Sequence, residues 1–399
     1  MNVLLIILIA VFVLVFVQLV RNAIESYQEY LCGQKRPWPI TKGPQLYVAD
    51  PYYGSKLAPN VSVFIQRRVT KEHVFTNNLG FRTENKDLQQ QVPVDIAFIG
   101  CSWVMGDGVE YEATFVSKVS KALNVNVANL GVGGYSITQA VRRLEKNIDF
   151  LRPRIILYCF LSLHINRAFK TNAHAGIIRR PVYVYYKNKK KIQMLEVGFN
   201  LSKKYIEKLS YYKMYPSTLH DYSFKDIYVF TIKQIMELVV MIRNGSIRNI
   251  ILRKLGLKRW SYADGSLEEN RKTVIYNAVK KLQILSREYG CMVMIHSLFY
   301  YNRMDVNNKQ SVVDNCEGNS AKDSELFREA IKTEGSRNII YLSSDLEKEL
   351  YDNWLMKNGF KYGHYNEAIH LPDNNHPNKV GHSIIAESIV KQIKKYSVL

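Results

Sequence analysis

Apolar positions along residues 92–163 recur in two alternating periods. Val92–Gly100 is a short apolar run bounded by turn residues, which predicts a buried strand. From Ala113 to Leu123 the apolar residues return at helical spacing, and Ile137–Phe150 repeats that pattern. Between them "VNVANLGVGGYS" (125–136) predicts a short strand and a glycine-rich turn, and "RIILYCFLSL" (154–163) predicts another buried strand. The rhythm returns late in the chain with a helix over 269–288, strands over 291–299 and 338–343, and a closing helix from about Gly381. Strand–helix alternation of this kind predicts an α/β protein, a three-layer α/β/α sandwich around a parallel sheet spanning residues 93–399.

Three segments depart from it. Residues 3–20, "VLLIILIAVFVLVFVQLV", carry Gln18 as their one polar residue and no charge, which predicts a transmembrane anchor. No basic stretch precedes it and no small-residue cleavage site follows cleanly, so the anchor is expected to be retained. Residues 21–92 read as a linker and a β-rich entry segment, with a turn at Asn77-Asn78-Leu79-Gly80. Residues 165–270 form a mixed insertion with a hairpin around "YVYYKNKKKIQML" and a long basic amphipathic stretch, Asp226–Leu255. Lys233, Glu237, Arg243 and Arg248 argue against a second span there. A helix packed on the domain is expected, a helix at the membrane surface being the alternative.

Composition changes the picture in two places. The five cysteines are scattered without a CxxC pair, so neither a disulfide framework nor a zinc site is expected, and no metal or cofactor is implied. The formal net charge of +20 predicts attraction to an anionic surface, whether lipid headgroups or acidic glycan. No helix-turn-helix, zinc-finger or RNP pattern accompanies it, so nucleic acid is not the expected partner.

The candidate chemistry begins at "AFIGCSWVMGDGVEY" (97–111), where Ser102 follows a strand and precedes a helix. That junction lies at the carboxyl edge of a parallel sheet, where open α/β folds place ligands. The spacing is not G-x-S-x-G, so this is not a nucleophile elbow, and by itself a small residue at such a turn is as well explained by chain geometry. In "LPDNNHPNKVGHSIIAESIVKQI" (371–393), Asp373 and His376 precede the closing helix. A serine nucleophile needs a base, and the base needs a carboxylate to hold its tautomer; this loop supplies both. The plain alternative is a polar helix entry with Asp or Asn as the cap. His382 falls inside the helix pattern and is expected to pack or cap, and His296, in mid-strand, to be a core histidine.

Together the two segments resemble the SGNH (GDSL-like) hydrolases. "FIGCSWVMGDGV" is similar to their serine block, with Cys101 at the place of the usual Asp, and "DNNHPNKVGH" to their final Asp-x-x-His block. "ANLGVGGYS" (128–136) is similar to their second block, whose glycine N–H helps to form the oxyanion hole; Gly134 matches it. The lead-in "TNNLGFR" resembles the segment before the serine in bacterial members linked to surface polysaccharide. Their third block ends a strand with Gly-x-Asn-Asp, but here "YCFLSLHINR" places Leu163 and His164 there. Leu163 cannot donate a hydrogen bond. Either Ser162 or His164 takes that role, or the third donor is missing.

The resemblance implies a flavodoxin-like sandwich carrying a serine esterase. Ser102, His376 and Asp373 would form the triad, and the N–H groups of Ser102 and Gly134, with His164 as the possible third donor, the oxyanion hole. It implies cleavage or transfer of a small acyl group such as acetyl on a glycan. A lipid esterase and a non-catalytic carbohydrate-binding or assembly protein on the same scaffold are the alternatives. The resemblance implies an extracytoplasmic catalytic domain. Arg21, Lys35 and Arg36 behind the anchor favour a cytoplasmic one instead; the extracytoplasmic side is the expectation adopted.

Overall fold

The computed structural model describes residues 40–44, 46–50, 52–66, 70–85, 87–170, 172–173, 178–186, 191–195, 260–262, 266–299, 311–360, 369–371 and 376–396. The chain divides into two compact units, one comprising residues 1–42, 66–68 and 200–258 and the other the remainder. Of the first, only residues 40–42 and Gln66 are described, so the expected anchor at 3–20 and the amphipathic stretch 226–255 lie outside the described residues. Among the described residues no helix is long and apolar enough to cross a membrane.

The second unit opens with β-structure, as the entry segment's alternation predicts. Strands β1 (Tyr47–Asp50) and β2 (Gly54–Leu57) form an antiparallel hairpin. Strands β3 (Ser62–Gln66), β4 (Lys71–Thr76) and β5 (Arg82–Thr83) follow, β4 and β5 pairing antiparallel. The turn between β4 and β5 is held by Asn77, whose Oδ1 accepts from the N–H groups of Leu79 and Phe81, both at 3.0 Å. Gly80 takes φ +72° there, and a Cβ would meet the Leu57 carbonyl oxygen at 2.4 Å, so only glycine fits.

The central sheet and its helices come next: β6 (Ile96–Ile99), α1 (Ser102–Met105), α2 (Phe115–Leu123), β7 (Val127–Asn129), α3 (Ile137–Leu151), β8 (Ile155–Phe160) and α4 (Ser162–Arg167). The predicted hairpin is present as β9 (Val182–Tyr186) and β10 (Lys191–Leu195), with β11 (Trp260–Tyr262) on the other side of β9. Then follow α5 (Glu268–Tyr289), β12 (Met292–Ser297), α6 (Ser311–Thr333), β13 (Ile339–Leu342), α7 (Asp345–Lys357) and α8 (Lys379–Lys395).

The central sheet is parallel throughout, in the order β13-β12-β8-β6-β7. Every residue of β6 and β8 is buried, as continuous apolar runs covered on both faces require. The chain steps one way from β6 to β7 and the other way from β7 to β8, β12 and β13. Right-handed crossovers therefore put α2 on one face and α3, α5 and α6 on the other. The packing agrees: α8 lies against α2 and α7, while α5 lies against α3 and α6. This three-layer α/β arrangement has its topological switch point between β6 and β8, so a crevice opens beyond their carboxyl ends.

Candidate active site

Ser102 begins α1 at the carboxyl end of β6, one side of that crevice, and is 7% exposed. The chain can turn so tightly because two glycines let backbones approach. A Cβ on Gly100 would lie 2.5 Å from Val104 Cγ2, and one on Gly131 would lie 2.3 Å from the Met105 nitrogen. Gly131 thus brings the loop after β7 against α1. Asn129, at the end of β7, ties the two together: its Nδ2 donates to the Val104 carbonyl at 2.8 Å and its Oδ1 accepts from Gly131 N–H at 3.0 Å.

The loop after α1 is anchored from the entry segment. Arg82, fully buried, donates to the carbonyl oxygens of Met105 (2.9 Å), Gly106 and Val109 (2.6 Å), and pairs with buried Glu72 at 3.4 Å. The "TNNLGFR" lead-in therefore acts on the serine through Arg82, which clamps the backbone behind it.

His376 arrives from the far end of the chain. Its Nε2 lies 2.7 Å from Ser102 Oγ. Its carbonyl accepts from Leu371 N–H at 2.7 Å, and Asn378 N–H donates to the Ile369 carbonyl at 2.9 Å. Two residues on, Asn378 caps α8, its Oδ1 accepting from Val380 and Gly381 N–H at 2.8 and 3.0 Å. The helix entry is thus capped by Asn378, while His376 of the same loop contacts Ser102. Asp373 lies outside the described residues.

Gly134 stands in the loop after β7 with φ +74°, and its carbonyl accepts from Arg180 Nη1 at 3.0 Å. The neighbouring Tyr135 carbonyl accepts from Arg167 Nη1 at 3.2 Å. Across the crevice, α4 starts at Ser162 beyond β8, with Leu163 36% exposed and His164 fully buried. His164 Nδ1 shares a hydrogen bond of 2.9 Å with the Tyr158 hydroxyl. The His164 ring also lies beside Cys101. Burial opposes ionisation of the Cys101 thiol, but His164 and Arg167 outweigh it and lower the pKa to about 5. Cys101 Sγ accepts a long contact of 3.8 Å from Ser102 Oγ.

The remaining histidines fall where their patterns put them. His382 is buried in α8, and its Nδ1 accepts from Phe115 N–H at 3.2 Å, at the start of α2. Burial lowers its pKa to about 3, with Arg82, His376 and Lys118 adding to the effect. His296 is fully buried and its Nε2 lies 3.0 Å from Glu347 Oε2, a core pair. Among the described residues no cluster of three or more His, Cys, Asp or Glu side chains is placed to hold a metal.

The pattern reading passed over two residues of this site. Asp107 Oδ2 lies 3.7 Å from His376 Nε2. It sits in the same quoted block as Ser102, where "GDG" reads as a turn. Asn129 stood in the quoted second block, and its polarity at the end of a buried strand was the available signal.

No family model matches the sequence, and no curated protein matches it. Among solved structures, the chain is similar to an alpha/beta hydrolase enzyme from the metagenome of Lake Arreo (12% identity, 75% of this chain and 94% of that chain, TM-score 0.36). It is also similar to a catalytic mutant of an acetylxylan esterase from Geobacillus stearothermophilus (10%, 75% and 94%, TM-score 0.36). A third is a GDSL-like lipase from Bacteroides thetaiotaomicron (10%, 77% and 93%, TM-score 0.36). What the site can do follows from its own atoms. Fold and site together define an α/β protein with a serine–histidine pair at the carboxyl edge of a parallel sheet.

Proposed function

We propose that this protein is a serine esterase of SGNH type, acting on a small acyl group such as acetyl carried by a glycan. The observation that carries the reading is the 2.7 Å contact between His376 Nε2 and Ser102 Oγ, made between segments 274 residues apart in the chain. Nothing in a helix cap or a core requires it.

In the reaction Ser102 Oγ bonds to the acyl carbon while its proton passes to His376 Nε2. The N–H groups of Ser102 and Gly134 receive the developing oxyanion, and Asp373 holds the His376 tautomer. The carbonyl re-forms, the C–O bond to the alcohol breaks, and that alcohol leaves with the proton from Nε2. Water, or a sugar hydroxyl, then attacks the acyl-enzyme and gives its proton to His376; the acyl–Oγ bond breaks as Ser102 Oγ takes that proton from Nε2, and the acid or the new ester leaves. Hydrolysis and transfer share every residue up to that step.

Leu163 stands where a third oxyanion donor is expected. With Ser162 or His164 in its place the hole keeps three donors; without them, the rate is lower by about 10²–10³. Leu163 favours a second reading, in which the scaffold binds acylated carbohydrate without turning it over. The formal charge of +20 suits an acidic polymer or the surface of a membrane to which residues 3–20 anchor the chain, with the catalytic domain on the extracytoplasmic side.

Labelling with a fluorophosphonate probe tests the reading. Wild-type protein is expected to react through Ser102, Ser102→Ala to show none of that labelling, and His376→Ala to slow it by about 10²-fold or more. Glycan binding that survives Ser102→Ala, with no serine-dependent labelling in the wild type, supports the second reading instead.

A further inference from the structure

The proposed chemistry leaves Asp107 without a task. Asp107 is held firmly beside the reacting pair: its N–H donates to the Ser102 carbonyl at 3.0 Å, and Arg82 grips the carbonyls on either side. Gly106 before it has φ +84°, and a Cβ there would lie 2.2 Å from Thr114 Cγ2, so the loop has little room to move. Asp107 Oδ2 lies 3.7 Å from His376 Nε2, and that same nitrogen lies 2.7 Å from Ser102 Oγ. The two side chains are 19% and 18% exposed, so the field between them is only partly screened by water.

The position matters because the two imidazole nitrogens do different work. A carboxylate at Nδ1 sets the tautomer, whereas Nε2 is the atom that gains the proton when Ser102 attacks. We propose that Asp107 is a second catalytic carboxylate, which stabilises the His376 imidazolium from the Nε2 side and keeps its new N–H aimed between Ser102 Oγ and the departing oxygen. The proposal rests on the esterase reading above and adds a residue to it.

Cys101, its thiol pKa lowered to about 5, lies 3.8 Å from Ser102 Oγ and bears on the serine, whereas Asp107 bears on Nε2. Ser102 is neutral, and His382 on α8 is held uncharged by burial, with Arg82 and Lys118 nearby acting in the same direction. Asp373 belongs to the His376 loop and, on the proposed chemistry, serves Nδ1. Removing the Asp107 charge therefore withdraws stabilisation from the imidazolium that forms as Ser102 attacks, and the rate falls.

The test is the second-order rate of fluorophosphonate labelling from about pH 5 to about pH 9 on the full chain, with Ser102→Ala as the blank. Asp107→Asn is expected to label roughly tenfold more slowly across that range. Asp107→Glu is expected to recover most of the rate, and Asp107→Ser serves if the Asn variant does not fold. An Asp107→Asn profile that superimposes on the wild type overturns the proposal. So does an Asp107→Glu variant that labels no faster than Asp107→Asn, which is the mark of a structural role. A wild type that shows no labelling above the Ser102→Ala blank sinks the esterase reading itself, and this proposal with it.

Discussion

His376 and His382 belong to one short segment and meet opposite environments. His376 is part-exposed at the crevice with its Nε2 on Ser102, while His382 is fully buried and accepts from the Phe115 N–H. Asn129 is the comparable case among uncharged residues, since its one amide both fastens α1 through the Val104 carbonyl and sets the turn at Gly131. Asn129→Ala leaves a buried carbonyl and a buried N–H unpaired, each loss costing about 1–3 kcal/mol. The same change frees the Ser102 turn from the Gly134 loop. Labelling of Ser102 is expected to slow by about tenfold or more, beyond what the lowered melting temperature explains, and a variant that labels at the wild-type rate removes Asn129 from this role.

At the scale of elements, hydrophobic period located the strands and helices that carry the site to within a few residues. Continuous apolar runs made β6, β8 and β12 visible, and Ser136 with Gln139 closes a capping box on α3. Helices α6 and α7 give a weaker apolar signal: over residues 321–333 of α6 the buried apolar side chains are Leu326, Phe327 and Ala330, and in α7 they are Tyr351 and Leu355. The entry segment showed its strands but not its purpose. Nothing in the alternation of β3 and β4 announces that Arg82, beyond them, clamps the loop after Ser102. Arg82→Ala breaks the buried pair with Glu72 and releases the carbonyls of Met105, Gly106 and Val109. It is expected to lower the free energy of unfolding by about 3–5 kcal/mol in a urea titration. A loss below about 1 kcal/mol tells against a dry, paired site.

For the whole molecule, the strand order explains why Ser102 and α4 face one crevice, and burial explains how the fold responds to acid. His382 has its pKa lowered to about 3, against an ordinary 6.5, because burial disfavours its charge. Above about pH 6.5 both folded and unfolded chains carry it neutral, and its contribution is constant. Below that the unfolded chain takes up the proton and the folded one does not, so stability falls with decreasing pH by about 1.4 kcal/mol per unit until about pH 3. Replacing His382 with Gln is expected to flatten that part of the slope in urea midpoints measured between about pH 4 and about pH 7. A slope unchanged by the substitution assigns the acid response to other groups.

The local pattern of the chain determined the α/β class, the buried strands and the serine on a strand–helix junction, because periodicity and turn chemistry are properties of neighbours. It also put a histidine before the closing helix. The sequence blocks singled out His376 over His382 and His296, but only the tertiary structure brings its Nε2 to 2.7 Å from Ser102 Oγ, because that distance joins segments far apart in the chain. The carboxylate at Nε2 and the arginine behind the loop were decided in the same way: a distance of 3.7 Å and a buried guanidinium arise from packing between segments far apart in the chain.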